Sequence, residues 1–321
     1  MKSKPILIVG GEPFSVFIEI FLKSISQKKI KKKLILIISK NLLTKQMKLL
    51  GFNFDINLIN KNNIIFKDLS KKKINVIDVN FKFKKSFDKI TDKSNSYINE
   101  SFKIALDLIK SKKYSGLING PISKKNFLKK KFNGVTEFLA YHLNRKNNVS
   151  MLIYNEKLSV SPITTHIALK DVYKKITKKK IIKNVELIKD FYIKKFNKNP
   201  KIAITGLNPH CESNYKSSEE ERIIKPAIKY LMKKKYRIDG PFPADTIFLK
   251  EQSKKFDVVV GMYHDQVLVP AKTLFEFNSI NITLGLPFVR ISPDHGPNSR
   301  MLGKNTSNPK SLIKALEFLD Q

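Results

Sequence analysis

Histidine is scarce in this 321-residue chain, so where its five histidines stand is informative. Three share one context. His166 follows the apolar run Leu158 to Thr165. His210 follows Lys201 to Thr205 and the turn Gly206-Leu207-Asn208-Pro209. His264 follows Asp257 to Val260 and Gly261-Met262-Tyr263. Each preceding run reads as a buried strand, so each histidine stands just past a strand's carboxyl end. In open α/β sheets that edge is where ligands bind. The three are roughly fifty residues apart, about one strand–helix–strand unit. Neighbouring loops can therefore bring three imidazoles together, and three protein ligands with one open position is the usual form of a catalytic metal site. The spacing is not a local signature such as H-E-x-x-H, and the same positions also read as unrelated loop histidines. Cys211, beside His210, reads either as a soft ligand or as a small buried thiol.

The densest polar segment runs from Asp245 to His295. It holds Asp245, His264, Asp265, Lys272, Asn281, Arg290, Asp294 and His295. Lys272 and Arg290 can clamp a phosphate or carboxylate, and Asn281 can orient a hydroxyl. Lys272 is one of many lysines, whereas Arg290 is one of only five arginines and follows an apolar run. Neither G-x-G-x-x-G nor G-x-x-x-x-G-K-[ST] occurs, so a Rossmann dinucleotide loop is not supported and P-loop chemistry is excluded on motif grounds. No G-x-S-x-G elbow supports serine hydrolysis.

Short β-branched runs alternate with longer amphipathic stretches. Pro5 to Val9, Lys33 to Ile38, Gly116 to Ile118, Met151 to Tyr154, Lys201 to Thr205 and Asp257 to Val260 read as strands of a largely parallel sheet. Asn99 to Ser111 places Phe102, Ala105, Leu106 and Ile109 on one helical face; Ile181 to Phe196, Glu219 to Lys234 and Ser311 to Leu319 are similar. The Lys/Asn-rich region Asn53 to Ser96 reads as an irregular strand pair or a long loop. This alternation predicts an α/β fold.

The net charge of +35 first suggests a nucleic-acid or membrane partner. Two features argue against that. Arginine, the residue of choice for bidentate phosphate and base recognition, is rare, and the lysines lie in short runs along the whole chain. The field still favours an anionic small substrate. One cysteine precludes an intrachain disulfide. No stretch approaches the roughly 18 apolar residues of a membrane span, so a cytoplasmic protein without a membrane partner is expected.

At these same residues the chain resembles the 4-hydroxythreonine-4-phosphate dehydrogenase family of vitamin B6 biosynthesis. The matching stretches are Asn119-Gly120-Pro121-Ile122-Ser123-Lys124, Thr136-Glu137-Phe138, Thr164-Thr165-His166 and Gly206-Leu207-Asn208-Pro209-His210. They continue through 240–246 (GPFPADT), Met262-Tyr263-His264-Asp265-Gln266, 281–288 (NITLGLPF) and Asp294-His295-Gly296, in the family's order. The resemblance implies two α/β/α domains around largely parallel sheets, similar to isocitrate and isopropylmalate dehydrogenases, with the active site in the cleft between them. It places residues 1–130 plus 285–321 in a first, cofactor-side domain and 131–284 in a central domain carrying the metal ligands and the dimer interface.

The resemblance also implies chemistry. His166, His210 and His264 would bind a divalent ion such as zinc, cobalt or magnesium, with ligands drawn from both chains of a homodimer. Thr136, Lys272, Asn281 and Arg290 would contact a phosphorylated substrate, with Lys272 also catalytic. Asp245 would handle a proton or support a histidine. The implied reaction is NAD-dependent oxidation and decarboxylation of 4-phosphohydroxy-L-threonine to 3-amino-2-oxopropyl phosphate, on the way to pyridoxal phosphate.

Three departures bear on this expectation. The family's Gly-His-Thr-Glu reads Gly134-Val135-Thr136-Glu137, so a substrate-contacting histidine is replaced by a valine. The glycine-rich opening after Gly-Glu-Pro reads Phe14-Ser15-Val16-Phe17-Ile18, although Gly11, Glu12, Pro13 and Glu19 match. The segment after Asp294-His295-Gly296 reads Pro297-Asn298, with Arg300 at an acidic position. A cation there points to NADP as a possible cofactor. Val135 points to 4-phospho-D-threonate or 4-phospho-D-erythronate as alternative substrates. The charge leaves a non-catalytic polyanion-binding protein as a third reading.

Overall fold

A computed structural model describes residues 4–128, 132, 134–145, 148–211, 217–293 and 296–321. The chain divides into two compact units, Met1–Val135 with Pro287–Gln321, and Thr136–Leu286.

The first unit is built on six parallel strands: β1 (Ile6–Val9), β2 (Leu34–Ile38), β3 (Ile56–Leu58), β4 (Ile74–Asp78), β5 (Gly116–Asn119) and β12 (Arg290–Pro293). They are ordered β3-β4-β2-β1-β5-β12. Strands β1 and β2 are continuous apolar runs, and β5 is apolar up to Asn119, because helices cover both faces of a parallel sheet. The helices are α1 (Phe17–Gln27), α2 (Lys40–Leu49), α3 (Asn95–Ile109) and α10 (Lys310–Asp320). Ser39 caps α2, its hydroxyl accepting from the Leu42 N–H. The Asn53–Ser96 region resolves into the short parallel pair β3 and β4 joined by loops.

The second unit holds β6 (Ser150–Tyr154), β7 (Ser159–Thr164), β8 (Ile202–Thr205), β9 (Ile238–Phe242), β10 (Val258–Tyr263) and β11 (Ile280–Leu284). Their order is β11-β6-β7-β10-β8-β9, and only β6 runs against its neighbours. The apolar core gathers Met151, Ile153, Val160, Ala203, Ile247, Val259, Val267 and Leu268. Its helices are α4 (Val135–His142), α5 (Val172–Lys175), α6 (Lys178–Phe196), α7 (Lys225–Lys233), α8 (Lys250–Ser253) and α9 (His264–Phe275). Thr177 caps α6 through its hydroxyl, and Asn197 ends it in the left-handed conformation that asparagine tolerates. The fold is α/β with a mostly parallel sheet. Among the described residues no helix is long and apolar enough to cross a membrane.

Candidate active site

Strand order decides what the three histidines can do. Strand β10 lies between β7 and β8 and is parallel to both. Their carboxyl ends therefore share one edge. Tyr263 is in register with Thr164, so His264 and His166 emerge at the same level. Their rings stand 5.6 Å apart between centroids, inclined at 42°. A metal–nitrogen bond of about 2.1 Å sets each ring centre roughly 3.2 Å from a shared ion, hence ring centres roughly 4.5 to 6 Å apart. The observed pair fits that spacing. His264 Nδ1 lies 2.6 Å from Asp265 Oδ1. A carboxylate on one ring nitrogen is the usual way a metal-binding histidine is oriented, and it leaves Nε2 for the ion.

His210 follows β8 by five residues and is exposed. Its Nδ1 lies 3.9 Å from Asp245 Oδ2. His210 and Cys211 both have left-handed backbones, with φ of 57° and 58°. Such conformations are uncommon outside glycine, and two in succession need outside support. Buried Glu220 supplies it. Its carboxylate accepts from the backbone N–H groups of Leu207 and Asn208, each at 2.8 Å, and from Asn208 Nδ2 at 2.9 Å. Burial opposes the charge on Glu220, but the hydrogen bonds from Asn208 and Leu207 outweigh it and hold the carboxyl below its usual range. Cys211 is partly buried and its thiol is pushed up, chiefly by desolvation, which favours the inert-thiol reading over the ligand one. Among the described residues of one chain, no three His, Cys, Asp or Glu side chains converge closely enough to hold an ion. The structure thus pairs His166 with His264 and sets His210 beside Asp245.

Beside this edge lies a cleft of about 560 Å³, lined by Asp245, Tyr263, Asp265 and Gln266 among apolar side chains that include Phe248 and Leu274. Lys272 stands on α9, two turns beyond His264. It is exposed over much of its surface, yet desolvation pushes its ammonium below the ordinary lysine range. Asn281 and Thr283 share one face of β11, two residues apart. The Thr283 hydroxyl lies 3.2 Å from that of Thr136 in the first turn of α4. Asn281 Oδ1 and Glu137 Oε2 are buried without a hydrogen-bond partner. Buried acceptors are normally paired, so these two atoms are openings for a donor-bearing ligand. Val135, at the start of α4, contributes no polar atom there.

Arg290 belongs to the first unit. It is 1% exposed, and its Nε donates to Asn119 Oδ1 at 2.7 Å. Asp294 and His295 lie outside the described residues. In the same unit Glu12 is fully buried, with Oε1 accepting from Ser94 Oγ at 2.8 Å and Oε2 unpartnered. Desolvation raises its carboxyl to about 7 against hydrogen bonds from Ser94 and Ser123. Sequence reasoning assigned no role to Glu12, Thr164, Glu220 or Gln266. Of these, Glu12, Thr164 and Gln266 carried a signal, each as part of a matching stretch, and Glu220 carried none.

The chain matches the family described as Pyridoxal phosphate biosynthetic protein PdxA over residues 30–319. It belongs to the PdxA family. A relative from Sulfurihydrogenibium sp. (strain YO3AOP1), named 4-hydroxythreonine-4-phosphate dehydrogenase, is 40% identical over 97% of this chain and 96% of its own length. One from Oceanobacillus iheyensis, provisionally named D-threonate 4-phosphate dehydrogenase, is 32% identical over 98% and 97%. The crystal structure of 4-hydroxythreonine-4-phosphate dehydrogenase from Klebsiella pneumoniae superimposes with a TM-score of 0.85 at 27% identity, covering 99% of this chain and all of that one. The PdxA fold and the oxidoreductase class are therefore those of this chain.

Proposed function

We propose that this PdxA-family chain oxidises and decarboxylates 4-phosphohydroxy-L-threonine to 3-amino-2-oxopropyl phosphate. The observation that carries the reading is the sheet edge, where three adjacent parallel strands are each followed, within five residues of their carboxyl ends, by a histidine. His166, His210 and His264 would hold a divalent ion, with zinc, cobalt and magnesium as candidates. When bound, that ion supplies Lewis-acid chemistry at the substrate's alcohol. A nicotinamide cofactor, NAD or NADP, would supply the hydride acceptor, and no residue of this chain is assigned to it.

The remaining tasks fall to named side chains. Lys272 and Arg290 neutralise the substrate's anionic groups. Thr136 donates its hydroxyl to the phosphorylated substrate. Asn281 offers its unpartnered Oδ1 to a substrate donor. Asp245, beside His210, takes the proton released as the alcohol becomes a carbonyl.

The active form in this reading is a homodimer whose subunits share the metal site. Support comes from the described residues of one chain, in which His166 stands beside His264 and no three metal-ligating side chains converge. Leu249, Val269 and Leu274 add to it, since they are half-exposed or more around the cleft beside these histidines.

One observation favours a second substrate. Val135 removes a polar contact, and a relative bears the name D-threonate 4-phosphate dehydrogenase. A rate panel separates the two. The expected result is kcat/KM at least tenfold higher for 4-phosphohydroxy-L-threonine than for 4-phospho-D-threonate or 4-phospho-D-erythronate. The reverse order would move the assignment to the hydroxy acid.

A further inference from the structure

We infer that Gln266 is a positioning residue that fixes the three histidine-bearing strand ends of each chain relative to one another, so that each subunit presents its share of the ligands in a set geometry, and so tunes the affinity of the shared site for its ion. The inference rests on the metal reading above and deepens it.

Gln266 lies in the first turn of α9, two residues after His264. Its amide is used at both ends. Oε1 accepts from Thr205 Oγ1 at 2.9 Å and from the Met262 backbone N–H at 2.7 Å. Nε2 donates to the Gly206 carbonyl at 2.8 Å. Thr205 ends β8, and Gly206 follows it on the way to His210. Met262 lies near the end of β10, just ahead of His264. The third strand joins through Thr164, whose buried hydroxyl donates to the Met262 carbonyl at 2.8 Å. The Met262 residue is thus held on its N–H by Gln266 and on its carbonyl by Thr164. One side chain links β8 to β10, and a second links β10 to β7.

Close packing keeps these links short. A Cβ on Gly261 would lie 2.4 Å from Val267 Cγ1 and 3.1 Å from Gln266 Oε1, so glycine lets α9 press against its own strand. A Cβ on Gly206 would lie 2.6 Å from Cys211 Sγ. Only an amide matches this set of partners. A carboxylate keeps the two acceptor contacts but sets an oxygen against the Gly206 carbonyl. A thioether of similar length keeps none.

A purely structural role for Gln266 makes a different prediction, because it would lower the stability of the metal-free protein and leave the metal affinity alone. Cobalt(II) titration of metal-stripped protein, followed by visible absorption, separates the two. It would be run on the wild type, Gln266→Met, Gln266→Glu and His210→Ala, beside the thermal midpoint of each metal-free protein. The expected result is cobalt affinity weakened about 10- to 100-fold in Gln266→Met with an altered absorption band, the range found for residues that orient metal ligands. Gln266→Glu should fall between Met and wild type. Should Gln266→Met not fold, as its metal-free midpoint would reveal, Gln266→Glu decides in its place. Wild-type affinity and band shape in the folded Gln266 variants, with His210→Ala impaired, would overturn this inference alone. No cobalt binding by the wild type would overturn the metal reading and this inference together.

Discussion

Lys272 carries a charge that its surroundings resist. Desolvation lowers its pKa, so its ammonium is lost at a lower pH than that of a free lysine. If it clamps an anionic group of the substrate, KM should rise as pH climbs through that lowered value. Lys272→Met should cut kcat/KM by about 100-fold, and Lys272→Arg should restore part of it without the early alkaline loss. A pH series of initial rates on the three proteins checks this. Glu12 is the opposite case, an acid raised from 4.5 to about 7 by burial. Between those values the folded state binds the proton that the unfolded state releases, so stability is fullest below pH 4.5 and falls as pH rises to about 7. The loss is about 3 kcal/mol at the usual conversion from pKa to free energy. Glu12→Gln should abolish that fall, as urea unfolding at pH 4.5 and pH 8 would register. The histidines themselves were legible from their place after apolar runs. Glu220 was not, and Gln266 was legible only as part of a matching stretch, because the groups they reach lie across strands and no spacing along the chain encodes that.

At the scale of elements, β1, β2, β5, β8 and β10 announce themselves as apolar β-branched runs, since strands covered on both faces have no polar alternation to preserve. Helix α9 does not. It opens on His264, Asp265 and Gln266 and contains Pro270, a helix-breaking residue that hides a helix packed by Val267, Leu268 and Ala271. The reversed direction of β6 was equally hidden, because an apolar run reads the same either way. The 53–96 region was ambiguous for a plainer reason: β3 is only three residues long and lies at the sheet's edge, and long irregular loops surround it and β4. Gly261 is where strand and helix meet most tightly. Gly261→Ala should cost about 1–3 kcal/mol, the range for overpacking a filled interior, because its Cβ would meet Val267. A shift in urea midpoint with an unchanged slope is the expected reading.

Across the whole molecule, the charge of +35 comes from lysines spread along the chain and would help to draw in an anionic substrate. The assembly is testable apart from the chemistry. In a homodimer built on the apolar rim of the cleft, Val269→Asp should shift the sedimentation coefficient towards the monomer and weaken metal retention together. A variant that dissociates yet keeps its metal would separate the interface from the site. The proposed activity depends on a divalent ion at the histidine-bearing sheet edge that enables oxidation of the phosphorylated substrate's alcohol. The most direct measurement is the absorbance at 340 nm of metal-stripped protein given NAD and 4-phosphohydroxy-L-threonine, before and after zinc, cobalt or magnesium is restored. The account predicts no rise before restoration, a steady rise after it, and none in His210→Ala. No rise with any of the three metals, or an equal rise without them, would contradict it.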